Sequence, residues 1–180
     1  MIEAVIDAQD DVLGTIRGLL RTLLEKQVVD AWLVPMFLPT GNVAPMLVTN
    51  PEALDQADPL TPVLPINAAR AASQLTMTGH RQKLGLVLRS CEIRALVELV
   101  KFQQAKLDNV RIFGLDCLGT YALTEWQAAD NKQRVLDQLL AGAATGELAP
   151  YDGMQFRTAC QICEQPLPEG DHLALTLGLV

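Results

Sequence analysis

The stretch KLGLVLRSCEIRALVELVKFQQAKLDNVRIFGLD, residues 83–116, constrains this chain more than any other. KLGLVLR (83–89), apolar from Leu84 to Leu88, has the pattern of a buried strand. EIRALVELVKFQQAKL (92–107) has apolar residues at helical spacing. NVRIFGLD (109–116) is a second strand of the first kind. Strand, helix and strand at these lengths make a βαβ unit, and such crossovers are parallel and right-handed. The unit predicts an α/β fold: a single domain with a central, mostly parallel sheet flanked by helices. It also puts the ends of both strands at one edge of the sheet, where doubly wound proteins place their sites.

The flanking sequence extends this plan. Val12, Ile16, Leu19, Leu20, Leu23 and Leu24 predict a helix over 11–27, capped by Asp10 or Asp11. VVDAWLVPMFL (28–38) reads as a strand, and VAPMLVT (43–49) can fold back on it as a hairpin. Asn50-Pro51 starts a short helix, because proline suits the first helical position. The prolines at 59, 62 and 65 keep 58–66 extended, and Asn67 caps a helix to about Thr78. A further helix is predicted over 122–141, then a loop from Gly142 to Gly153. HLALTLGLV (172–180) reads as a buried strand with no polar tail. Residues 1–180 are read as one domain, short or cut at its C-terminal end relative to a longer protein. Trp32 and Trp126 are expected to pack the core or an interface.

Bulk composition narrows the partners. The chain has 180 residues, 49% hydrophobic and only 4% aromatic, so its core is mostly aliphatic. A net charge of −7 argues against nucleic acid or an anionic membrane as the main partner. No apolar run approaches the roughly 20 residues of a membrane helix. The acidic start MIEAVIDAQDD has no basic segment of the signal-peptide kind. The expected compartment is the cytoplasm, where four cysteines serve as ligands, catalytic thiols or buried apolar residues.

Cys91 stands where the first central strand ends, and Cys117 where the second ends. The topology makes them neighbours. Cys160 and Cys163 form a CxxC pair in FRTACQICEQP, which reads as a loop, and such a pair reaches one metal or cluster. Four thiolates suit zinc or an iron–sulfur cluster. One short pair plus two single cysteines leans towards the cluster, since structural zinc sites more often have two short pairs. Two other readings stay open: unrelated buried or surface thiols, and a redox dithiol.

Arg89 and Arg94 flank Cys91, and Arg157 precedes Cys160. Arginines there stabilise an anionic thiolate cluster or a pyrophosphate; alternatively Arg94 pairs with Glu98 on a solvated helix face. Glu92 at the helix start is explained by the helix dipole. Asp116 suits a ribose, a water or merely a turn. Gly119-Thr120-Tyr121 offers backbone donors, a hydroxyl and an aromatic face to a flavin or cluster, or simply a turn into the next helix. His80 in a turn and His172 at the last strand have no nucleophile partner, so hydrolase chemistry has no support. GxGxxG and GxxxxGK[ST] are absent from the sequence.

LGLVLRSCEIRALVELVKFQQAKLDNVRIFGLDCLGTY, residues 84–121, resembles the beta subunits of coenzyme F420-reducing hydrogenase, F420-dependent dehydrogenases and formate dehydrogenases. RSCEIRAL and GLDCLGTY are similar to the two central cysteine motifs of that family, and ACQICEQP to a later cysteine pair of its formate-dehydrogenase-like branch. The resemblance implies an iron–sulfur electron-transfer subunit or domain carrying a 4Fe–4S cluster and FAD. It implies Cys91, Cys117, Cys160 and Cys163 as cluster ligands, and Arg89, Arg94, Thr120 and Tyr121 as flavin or cluster neighbours. It implies other oxidoreductase subunits or domains and a small-molecule electron carrier as partners. The ferredoxin-like run of clustered cysteines found in many relatives is missing here. The rival expectation is a structural zinc or assembly module with no redox cofactor; a third is a dithiol switch at Cys160 and Cys163.

Overall fold

In a computed structural model, the structure describes residues 4–78 and 82–179. Helix α1 (Val12–Glu25) is capped by Asp11, whose carboxylate accepts from the Gly14 N–H. Strand β1 (Ala31–Phe37) pairs antiparallel with β2 (Val43–Val48). A 3-10 turn, Pro51–Gln56, follows with Pro51 in its first turn, and α2 (Ala68–Met77) is capped by the Asn67 side chain. Then come β3 (Leu84–Arg89), α3 (Ser90–Lys101) and β4 (Val110–Leu115), the predicted βαβ unit. Helices α4 (Leu123–Ala128), α5 (Lys132–Thr145) and α6 (Thr158–Gln161) precede β5 (Leu173–Leu177).

The sheet order is β2-β1-β3-β4-β5, with every pairing parallel except β1 with β2. The expected single, mostly parallel α/β sheet is therefore what forms. Alternating residues divide between two faces. Leu33, Leu86, Leu88 and Ile112 pack with α2 and α3. Trp32, Val34, Val87 and Phe113 pack with α1 and α5. Trp32 is fully buried, meets Phe113 edge-on at 4.7 Å between ring centroids, and donates its indole N–H to the Leu20 carbonyl at 2.9 Å. That bond ties α1 to the sheet. Trp126 is buried in the same core.

Three expectations need correction. Helix α3 ends at Lys101, not near 107, because Gln103 takes a left-handed φ of 58° and the chain turns back. The Thr76 hydroxyl then accepts from the Lys106 N–H, drawing that return onto α2. The helix predicted over 122–141 is two helices: Ala129 is extended, and Asn131 caps α5 by accepting from the Arg134 N–H at 3.0 Å. The last strand is an exposed edge, not a buried strand. Among the described residues β4 is its one neighbour, and Ala174 to Thr176 face solvent.

Residues 162–172 reach β5 without a helix, as a strap containing Pro166 and Pro168. The strap crosses β4 where Gly114 leaves room. A Cβ at Gly114 would lie 2.6 Å from Pro168.

Candidate functional site

In the β3–β4 ladder Arg89 stands opposite Leu115, so Cys91 and Cys117 each lie two residues beyond a matched pair. β3 runs straight into α3 at Arg89. The Arg89 guanidinium is buried and donates to the carbonyls of Val63 (3.3 Å), Pro59 (3.1 Å) and Thr61. It thereby holds the proline-rich loop against the rim. Asp58 shapes that loop by accepting from the Thr61 N–H at 3.0 Å. Glu92 does more than answer the helix dipole. Its carboxylate accepts from Ala68 N–H (2.8 Å), at the start of α2, and from Arg89 N–H (3.1 Å). Burial pushes its acidity towards the neutral form, while Arg89 and these two donors oppose that.

The second rim segment runs from Asp116 to Tyr121. The Asp116 carboxylate accepts from the Leu179 N–H at 3.0 Å and is raised by burial. Cys117 N–H donates to Pro166 O at 3.1 Å, fastening the strap. Gly119 has φ +79°, and its backbone N–H favours the Cys117 thiolate. A Cβ there would sit 2.8 Å from the Phe156 ring, so glycine is required by conformation and by space. Thr120 is 2% exposed, its hydroxyl lies 3.0 Å from the Cys160 sulfur, and its carbonyl accepts from Arg157 N–H at 2.8 Å. The Tyr121 ring packs on Phe156 inside the protein (5.1 Å between centroids) and its hydroxyl accepts from Tyr151 N–H at 2.8 Å.

The CxxC segment is one helical turn and its exit, not a plain loop. Arg157 precedes α6 and donates to Leu64 O at 3.2 Å. Cys160 is half-buried and Cys163 exposed, and Cys163 N–H donates to Cys160 O at 3.2 Å. Arg94 does not pair with Glu98, which takes Lys101 at 2.6 Å; Arg94 donates to the Gln165 side chain at 3.1 Å.

Cys117 lies within electrostatic reach of the other three thiols, and Cys91 also within reach of Cys160. Burial pushes the Cys91 thiol up to about 11, with Glu92 and Cys117 adding, Arg89 opposing and Cys160 contributing. Burial likewise raises Cys117, against Arg89 and the Gly119 N–H, and Cys160 and Cys163 raise it further. As they stand, no three His, Cys, Asp or Glu side chains among the described residues are arranged to hold one metal ion. His80 lies outside the described residues. His172 precedes β5, at the opposite edge of the sheet, exposed and away from the cysteines. Sequence reading missed Ser90, which is 5% exposed, and the strap residues Gln165 and Glu169 beside it. Nothing but the adjacent Cys91 marks Ser90 in the sequence.

No family model matches the chain. Among curated proteins, F420-dependent formate dehydrogenase 1 subunit beta of Methanococcus maripaludis is 26% identical over 183 residues, covering 89% of this chain and 46% of the relative. F420-dependent formate dehydrogenase subunit beta of Methanocaldococcus jannaschii is 29% identical over 111 residues, covering 59% of this chain and 28% of the relative. The chain resembles F420-dependent formate dehydrogenase beta subunits. It spans less than half the length of either relative. The F420-reducing [NiFe] hydrogenase complex from Methanosarcina barkeri matches 64% of this chain and 41% of its own at 15% identity, with a TM-score of 0.49, too low to support a conclusion. Among the described residues no helix is long and apolar enough to cross a membrane.

Proposed function

We propose that this chain is an electron-transfer module of a formate-dehydrogenase- or hydrogenase-like oxidoreductase, and that Cys91, Cys117, Cys160 and Cys163 hold one 4Fe–4S cluster. The observation that carries the reading is the convergence of all four cysteines on one rim of the sheet. The donors fit: soft thiolates, gathered but not drawn together around a single ion. A tetrahedral zinc ion, with Zn–S of about 2.3 Å, needs its sulfurs roughly 3.8 Å apart. The spacing, one short pair plus two single cysteines, leans towards a cluster over the zinc alternative. Such a cluster would supply one-electron chemistry, and FAD alongside it would connect single electrons to hydride pairs.

The chain's own residues have definable parts. The Thr120 hydroxyl donates to the Cys160 sulfur once that thiol is ionised. Gly119 N–H and Arg89 favour the Cys117 thiolate against burial. Arg89 and Glu92 lock the start of α3, and so Cys91, to the proline-rich loop. Partner subunits or domains and a small-molecule carrier belong to this proposal, since the relatives are named as subunits. Replacing Cys160 by Ser in anaerobically prepared protein is expected to remove most bound iron and sulfide. Full iron and sulfide in that variant would overturn the ligand assignment.

A further inference from the structure

Between the first turns of α3 and the strap lies a cavity of about 200 Å³, lined by Ser90, Ile93 and Arg94 on one side and Gln165, Leu167 and Glu169 on the other. Both walls hold groups without their ordinary partners. Arg94 and Glu169 carry opposite charges and line the same space, yet among the described residues neither belongs to an ion pair. Arg94 donates instead to the neutral Gln165 side chain at 3.1 Å. Ser90 is 5% exposed, and its hydroxyl has no hydrogen-bond partner among the described residues, a costly state for a buried polar group. Leu167 is 54% exposed although it lines the same cavity as the buried Ile93.

The strap is loosely enough held to answer these deficits. From Glu164 to His172 every residue but Pro168 is exposed. Among the described residues two hydrogen bonds tie this stretch to the rest of the molecule: Cys117 N–H to Pro166 O, and Arg94 to Gln165. Pro168, buried against Gly114, serves as a pivot, and Gly170 beyond it has a φ of +132° that favours glycine. Few buried contacts and few bonds make a segment that moves at low cost.

We propose that the strap closes onto the first turn of α3, shrinking this cavity and joining Arg94 to Glu169, and that a metal group on the four cysteines holds it closed. Closure adds a charge-assisted bond, covers Leu167 and brings the polar Gln165 and Glu169 side chains towards the Ser90 hydroxyl. An ion pair this exposed contributes little by itself. The two positions therefore stay close in free energy, and a bound group selects between them. Metal is suited to select, because Arg94 follows Cys91 by three residues and Gln165 follows Cys163 by two. Fixing those thiols fixes both sides of the latch. The coupling to metal rests on the proposed function; the closure itself does not.

The test is deuterium exchange of the reduced, metal-free 180-residue chain, read by mass spectrometry on the peptides that carry Cys117 and the strap, since Pro166 O holds the Cys117 N–H. Arg94→Gln and Glu169→Gln should each speed exchange there about two- to fivefold. The double variant should go no faster than Arg94→Gln alone. The charge swap, Arg94→Glu with Glu169→Arg, should restore the original rate, and high salt should level all the variants. Glu169→Gln decides, because Glu169 has no bonding partner in the open position. Exchange unchanged in that variant, additive single effects, no rescue by the swap, or equal acceleration in the β3 and β4 peptides overturns the closure. Loading the chain with iron and sulfide should slow strap exchange about tenfold or more. A chain that holds about four irons with strap exchange unchanged overturns the coupling. A chain that takes up no iron or sulfide while the variants keep their pattern sinks the cluster reading and leaves the closure standing.

Discussion

Cys91 and Cys117 project from the ends of two strands matched residue by residue, whereas Cys160 and Cys163 hang on a single helical turn. The first pair is fixed by a six-residue parallel ladder and by the Arg89–Glu92 lock behind it. The second is joined to the rim by a few bonds: Arg157 N–H to Thr120 O, the Thr120–Cys160 contact, Gln161 to Phe156 O, and Cys117 N–H to Pro166 O. The difference teaches that this site is half scaffold and half strap. A metal group bridging the halves would staple the strap to the sheet, making its binding energy part of the folding energy.

Breaking the scaffold half should cost most. Arg89→Met leaves three buried carbonyls without their donor and Glu92 without its nearest positive charge. A loss of about 3–5 kcal/mol is expected in urea unfolding; a loss below about 1 kcal/mol would show the lock is not what fixes the rim. Gly119→Ala acts at the joint between the halves. Its left-handed φ and the nearby Phe156 ring predict a loss of about 2–4 kcal/mol, with faster proteolysis in the strap than in the sheet.

Alkali tests the burial of the Cys91 thiol. In metal-free, reduced protein the Cys91 thiol ionises near 11 when folded but near 9 when unfolded. The unfolded chain then releases its proton first, so stability falls as pH rises through that window. With part of the site open to solvent, the loss is at most about 2 kcal/mol. It should vanish in Cys91→Ala; an unchanged pH profile in that variant would remove the assignment.

Smaller effects refine the strap half. Thr120→Val should cost about 1 kcal/mol without metal. In a loaded sample it should move the midpoint potential downwards in film voltammetry, because the more negative reduced state loses a donor. An unmoved potential would show that the hydroxyl does not reach a ligand sulfur. Cys163→Ser in metal-free protein should change stability by less than about 0.5 kcal/mol, since the side chain is exposed. The same variant should nevertheless lose metal, and retention of full metal content would exclude Cys163 as a ligand.

The contrast between the halves also governs how much could be read from the sequence. Apolar runs and helical spacing announce β3, α3 and β4, and parallel topology then makes Cys91 and Cys117 neighbours before any coordinates are known. Asp11, Asn50 and Asn67 announce their helix starts because their side chains accept from nearby N–H groups. Asn131 carries the same signal, but it lies inside an Ala- and Leu-containing stretch that reads as one helix. The partners of Arg89 lie 26 to 30 residues away in a loop whose path no local pattern gives. The exposure of β5 is set by its place at the sheet edge, a tertiary fact hidden behind an apolar sequence. The strap was least legible: its route over Gly114 and its cavity beside Ser90 come from contacts between segments, not from periodicity.

The central claim is that four cysteines from two differently built regions form one cluster site. The most direct test is to purify the chain without oxygen and measure iron, acid-labile sulfide and zinc per chain with the visible spectrum. The account predicts about four irons and four sulfides with broad absorption near roughly 400 nm, lost in Cys91→Ser and in Cys160→Ser alike. A colourless protein with one tightly bound zinc, or a cluster that survives either substitution, would contradict it.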